Sequence, residues 1–149
     1  MSPVLVALAL AASPAAPAQT DPCANAATTL DINTCLAGQM AGVEADLNRY
    51  YRAAVKRLHA EKGEAESQAL PSLIKAQRAW LAYRDAECGA VEAYWSGGTI
   101  RTSMALTCRL SLTRLRIFSI WRDWLTYMDS TPPDLPRPDV GTVLREGQR

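Results

Sequence analysis

The residues able to do chemistry are few and poorly placed for catalysis. One histidine, His59, sits among Lys56, Arg57, Glu61 and Lys62, a charged neighbourhood that reads as a solvated helix face. Imidazole catalysis needs a nucleophile or a second acid–base group within hydrogen-bond reach, and no serine or cysteine can be assigned to His59. Asp85 and Glu87 lie two positions apart, which on a helix sends the two carboxylates to different sides. The chain therefore reads as a non-enzyme without a cofactor or metal.

The cysteines Cys23, Cys35, Cys88 and Cys108 are the more informative set. An even number in a small exported chain points to disulfides rather than a metal site. Export is read from MSPVLVALALAASPAAPA, an uncharged leader with an apolar run from Val4 to Ala12 and Ala16-Pro17-Ala18 ahead of Gln19. That layout predicts a signal peptide over residues 1–18, too short to span a bilayer as a mature helix. Thr20-Asp21-Pro22 before Cys23 does not fit a lipid-attachment site, so a periplasmic or secreted protein without stable membrane insertion is expected.

Helical periodicity supplies the elements that position these residues. Leu36, Met40, Val43, Leu47, Tyr51, Ala54 and Leu58 recur at steps of three and four, an amphipathic first helix from about Asn33 to the turn at Glu61-Lys62-Gly63. Leu70, Leu73, Ile74, Trp80, Leu81, Val91 and Trp95 mark a second, expected to start between Ser67 and Leu70 so that Pro71 falls in its first turn. Ser96-Gly97-Gly98 ends it, and Thr99 is the expected N-cap of a third helix from Ile100 to about Met128. That helix is apolar on two sides, so it should pack against both others.

Asp21-Pro22 begins a short N-terminal helix or turn toward Cys35. Pro132, Pro133, Pro136 and Pro138 make residues 129–149 a disordered or extended tail. The fold class is all-α: an up-down-up bundle of three helices over 19–128 with a short N-terminal helical appendage, stapled by disulfides. A length of 149 residues, 48% of them hydrophobic and 21% charged, suits one such domain. Sixteen basic against 15 acidic residues give a net charge of +1 and no field to draw nucleic acid.

Four cysteines allow three pairings. In an antiparallel hairpin about Gly97-Gly98, Cys88 and Cys108 are each ten residues from position 98, which pairs them and leaves Cys23 with Cys35. In the stretch QRAWLAYRDAEC, Gln77 and Arg84 occupy the buried stripe. A buried guanidinium needs partners; Glu44, Asp46 and Asn48 on the first helix are the candidates for Arg84, with Asn48 the neighbour for Gln77. Either this is a polar crosslink between helices or a partly exposed binding patch.

These residues resemble the N-terminal domain of LprI-type lysozyme inhibitors. The resemblance rests on Cys23 and Cys35; Leu47, Asn48 and Tyr51; Gln77, Trp80, Tyr83-Arg84-Asp85 and Cys88; Gly97-Gly98-Thr99; and Cys108, Thr113 and Arg116. It runs from Cys23 to Ile120. It implies a small exported helical protein that binds another protein, lysozyme, and inhibits it; the alternative is a non-inhibitory envelope adaptor or immunity-type interaction module.

An inhibitor of a glycosidase cleft needs a rigid protrusion carrying donors for the catalytic carboxylates. Trp95, Ser96, Thr99 and Arg101, at the tip tied by Cys88 and Cys108, are the candidate partner-binding residues. The competing interpretation is a plain capping turn with Trp95 in the core and Arg101 solvated. Glu61, Glu64 and Glu66 offer a second contact surface at the opposite turn, and Trp121, Trp124 and Tyr127, if exposed, a partner or dimer face. Asn48, Gln77, Arg84 and Arg116 are assigned structural polar roles. The sequence does not specify the oligomeric state.

Overall fold

The computed structural model describes residues 22–61 and 63–140. The leader read over 1–18 and residues 141–149 lie outside them, as do the side chains of 64–67. Three helices account for the fold: α1 (Thr29–Ala60), α2 (Glu64–Tyr94) and α3 (Arg101–Trp124), with no strand among the described residues.

The start of α1 is fixed by a capping box. The Thr28 hydroxyl accepts from the Asp31 backbone N–H at 3.1 Å, and the Asp31 carboxylate accepts from the Thr28 backbone N–H at 3.0 Å, satisfying two donors that a helix end leaves open. The helix thus begins before the expected Asn33. Upstream, residues 22–25 form a turn rather than a helical appendage, closed by Ala26 N–H donating to the Cys23 carbonyl at 3.0 Å. The Cys23–Cys35 disulfide pins that turn to α1.

The second helix starts at Glu64, earlier than expected, so Pro71 lies inside it rather than in its first turn. Proline there removes one backbone donor, and its ring is exposed to solvent. The third helix starts at Arg101 with Ile100 as its cap residue and no side-chain cap bond, so Thr99 does not cap it. It stops at Trp124 rather than Met128, because the chain turns back and Asp134 N–H donates to the Leu125 carbonyl at 3.0 Å.

Cross-links between elements give the topology. Along α1 and α3, Ser103 donates to Asn33 at 2.7 Å, Arg114 to Gln39 at 3.0 Å, and Arg57 to the Trp124 carbonyl at 3.0 Å; both numbers climb together, so α1 and α3 run parallel. Along α2 and α3, Cys88 meets Cys108, Arg84 meets Thr113 and Gln77 meets Arg116, so these two run antiparallel. The third helix contacts both neighbours, and α1 and α2 touch each other least. Leu47, Tyr50, Ala54 and Leu58 from α1, Leu73 from α2, and Ile117, Ile120 and Leu125 make the buried core.

Residues 129–140 run extended along the bundle. Leu135 packs on the core and Val140 is buried, while Tyr50 Oη and Trp121 Nε1 donate to the carbonyls of Pro136 and Leu135 at 2.7 and 3.0 Å. Proline already fixes φ at these positions, which lowers the entropic cost of ordering the strap.

Two stability predictions follow from these restraints. Replacing Cys88 and Cys108 together by Ala should lower the unfolding free energy by about 3 kcal/mol in urea titrations, the loop-closure effect of a bridge of this span. The hydroxyl and backbone of Thr28 hold the Asp31 carboxyl below its ordinary 3.8. A carboxyl lowered in the folded state adds stability above 3.8 and loses it as pH falls through the folded value. Asp31→Asn should therefore lower the neutral plateau of a Tm-against-pH profile and flatten its acid limb, the variant and the parent converging at low pH.

Candidate functional site

Two regions of the α2–α3 hairpin gather the residues singled out in the sequence: a polar lock in its middle and the tip at its end.

The lock is built on Arg84, only 8% exposed. Its stem and head come from the face of α2 that packs on α3, where helical spacing also places Gln77 and Cys88. One guanidinium nitrogen, Nη1, donates to the hydroxyl of the fully buried Thr113 at 3.2 Å and lies 3.4 Å from Glu44 on α1. The Nε side faces Asp85 at 3.5 Å, too long for a hydrogen bond, and the guanidinium carbon stands 5.2 Å from the Trp80 ring centroid. Glu44 is thus the partner among the three candidates; Asp46 pairs instead with Arg49 at 2.9 Å.

Gln77 is also buried, but its partner is not Asn48. Its Oε1 accepts from Arg116 Nε at 2.9 Å, across the α2–α3 interface, whereas Asn48 is exposed on α1. The reason is topological: α2 leans on α3 far more than on α1. Burial pushes the Arg116 guanidinium below its usual value, with Asp123 and Tyr51 opposing. Trp80 lies between the two arginines, 5.2 Å from Arg84 and 5.9 Å from Arg116. Trp80 takes the inward position while its neighbour Leu81 is exposed. Arg84 and Arg116 each reach an oxygen of the facing helix beside the same indole, so the contacts of the patch run between α2 and α3.

One bridge beyond Arg84, the buried Cys88 joins Cys108 and begins the tip. Ser96 N–H donates to the Ala93 carbonyl at 3.1 Å and Gly98 N–H to the Trp95 carbonyl at 3.0 Å, so these backbone donors are used inside the turn. Ser96, Thr99 and Arg101 are exposed, and Trp95 is half-buried.

The residue missed by sequence reasoning is Tyr94. It is 80% exposed, flanked by Ile100 at 41%, and its ring meets Trp95 edge-on at 5.5 Å between centroids. Its signal was an aromatic off the buried stripe immediately before a glycine turn.

The other surfaces are less open than expected. Glu61 is paired with Arg57 at 2.9 Å, and the side chains of Glu64 and Glu66 lie outside the described residues. Trp121 and Trp124 are partly covered by the core and the strap rather than forming a free face. His59 is exposed near the end of α1. Among the described residues no group of histidines, cysteines or carboxylates could hold a metal ion, and no helix is long and apolar enough to cross a membrane.

Truncations should rank the lock's members. Arg84→Ala should cost about 2–3 kcal/mol in urea denaturation, because it strands the buried Thr113 hydroxyl and strips packing from Trp80. Glu44→Gln, at a half-exposed carboxylate, should cost less than about 1 kcal/mol.

Comparison with known proteins returns a coherent result. The family model described as lysozyme inhibitor LprI matches residues 21–119, a span that includes the N-terminal turn, α1, α2, the lock, the tip and most of α3. An uncharacterized protein of Rhizobium meliloti (strain 1021) is 34% identical over 122 residues, covering 77% of this chain and 88% of its own length. No solved structure matches the chain.

Proposed function

Because the chain belongs to the LprI lysozyme-inhibitor family, we propose that it binds and inhibits a lysozyme-type peptidoglycan hydrolase, using the α2–α3 tip as the inserting element. The observation that supports this reading is the combination at the tip of large exposed side chains and restraint. Tyr94 stands out from the surface shortly after the fully buried Cys88, and Ile100 shortly before Cys108, to which Cys88 is bonded. Exposed aromatic anchors on a rigid support are what binding hot spots require, since little side-chain or loop entropy is lost on docking.

The chemistry fits a glycosidase cleft. Such enzymes set two carboxyl groups across a sugar-binding groove, with aromatic and polar walls. Arg101 is exposed at the start of α3 and would meet a carboxylate with a charge-assisted hydrogen bond, while Tyr94 takes the place of a stacked sugar ring. The hydroxyls of Ser96 and Thr99 supply the remaining donors. Inhibition then consists of occlusion: the tip fills the groove and presents no bond that the enzyme can cleave. The two disulfides suit an oxidising compartment such as the periplasm or the extracellular space.

The test is a cell-wall lysis assay with the oxidised protein against lysozymes of several classes. Tyr94→Ala and Arg101→Ala should each raise the inhibitory concentration tenfold or more, at about 1.4 kcal/mol per tenfold, with helical circular dichroism unchanged. Tip variants that inhibit like the parent would remove the tip from the mechanism, and binding without inhibition would identify a non-inhibitory interaction module instead.

A further inference from the structure

We infer, on the basis of the hydrolase reading above, that the partner-binding face is composite. The N-terminal turn and the first turn of α1, with Leu30 as a contact residue, stand beside the α2–α3 tip and dock on the rim of the groove that the tip enters.

Helical spacing brings the two elements to one end of the bundle. Asn33 and Ser103 meet at 2.7 Å between α1 and α3. Leu30 and Ile100 each precede that pair by three residues, which puts both one turn further out on the same stripes. The backbone is helical back to Ile100, whose carbonyl accepts from Met104 N–H at 3.0 Å. In the antiparallel register set by Cys88 and Cys108, Tyr94 lies level with residue 102. Leu30, 74% exposed, thus shares one end of the molecule with the exposed Tyr94 and Ile100. Thr28, Asp31, Ser96, Thr99 and Arg101, all exposed, flank these three side chains. An apolar centre with a polar rim is the anatomy of a protein interface.

The α1 half of this end is held in place without supplying core. No side chain from 22 to 39 is buried, and Met40 is the first buried residue of α1. Three ties nevertheless fix the segment: the capping box of Thr28 and Asp31, the Cys23–Cys35 bridge, and Gln39. The Gln39 amide donates to the Cys23 sulfur at 2.9 Å, and its carbonyl oxygen accepts from Arg114 at 3.0 Å. The N-terminal turn is therefore anchored through α1 to α3, the helix that also carries one side of the tip. Its ordering entropy is lost on folding rather than on docking, which favours association.

Size and charge select the occupant. Residues 94–101 alone fall well short of the roughly 20–30 residues a side that a specific interface occupies, so an inserting tip needs a neighbour that meets the rim. Within 22–31 and 94–101 the only charged side chains are Asp31 and Arg101. The Asp31 carboxylate is engaged by the backbone and hydroxyl of Thr28, which leaves Arg101 to set the sign of the face. Its complement is a groove carrying two carboxyl groups. A second copy of the chain fits less well, since a two-fold contact places the same patch on both sides and sets cation near cation.

The test uses the oxidised chain and the lysozyme that it inhibits most strongly in the lysis assay, with calorimetric binding measured alongside inhibition. Leu30→Ala should weaken both by about five- to twentyfold, the effect of removing apolar contact from one leucine. Circular dichroism and Tm should stay at the parent values, because the side chain is largely exposed. Leu81→Ala, at an exposed leucine on α2 beside the lock, should leave binding and inhibition unchanged. Parent-like binding by Leu30→Ala, with Tyr94→Ala impaired, would overturn the composite face and leave the tip reading standing. Equal losses from Leu30→Ala and Leu81→Ala would also overturn it. So would sedimentation showing a dimer of the free chain that Leu30→Ala disperses, which would assign this end to a second copy. A parent chain that inhibits no lysozyme would overturn both readings together.

Discussion

The antiparallel clasp of α2 on α3 is the constraint from which the rest of the architecture follows. Three ties lie along it in order, the Cys88–Cys108 bridge, the Arg84–Thr113 hydrogen bond and the Gln77–Arg116 hydrogen bond. Each fixes the same register. An apolar interface alone tolerates sliding by a turn, since many packings of similar volume have similar energy, but a slip of one turn here would break a covalent bond and bury two guanidinium groups without partners. Buried ionic groups are poor sources of net stability, and the register these two share is the one the disulfide also fixes.

Once that clasp is set, α3 becomes the central element and α1 has one remaining place to dock, alongside α3 in a parallel course. The ties of that second interface, Asn33 with Ser103 and Gln39 with Arg114, are hydrogen bonds at its edge, and its centre is apolar, from Leu47 to Leu58 against Ile117 and Ile120. Gln39 also donates to the Cys23 sulfur at 2.9 Å, so the N-terminal turn is anchored through the same side chain that meets α3. The parallel course brings the ends of α1 and α3 together, and the chain leaving α3 can only turn back over the groove between them.

Periodicity made the helices and their buried faces legible, because steps of three and four report which side is covered regardless of what covers it. Equal distances from Gly97-Gly98 made the Cys88–Cys108 pairing legible for a similar reason, a hairpin being symmetric about its turn. What escaped were the features set by tertiary choice. Gln77 meets Arg116 rather than Asn48 because a three-helix pattern does not say which pair of helices its polar residues bridge. Pro71 was placed in a first turn because proline usually marks one, yet an exposed proline is tolerated deeper in the helix. Composition reports the low apolar content of residues 129–140 but not the donors, Tyr50 and Trp121, that meet the carbonyls of Pro136 and Leu135. Tyr94 lies off the buried stripe, so the periodicity that reports the core carries no signal for it.

The residues that define the family pattern are therefore mostly those that hold helices together, and surfaces able to meet another molecule must lie elsewhere. Two regions outside the clasp lie at opposite ends of α3. The tip adjoins Arg101, and the strap groove is centred on Phe118 and Trp121. At a rise of 1.5 Å per residue, these stand roughly 25–30 Å apart. Over that distance, with the clasp rigid between them and no shared side chain, changes at one surface act independently of changes at the other. A single small cleft cannot engage both. If the tip closes a hydrolase groove, the opposite end of the bundle, covered by residues 135–140, stands clear of that contact, and the clasp between them keeps the two ends at a fixed separation.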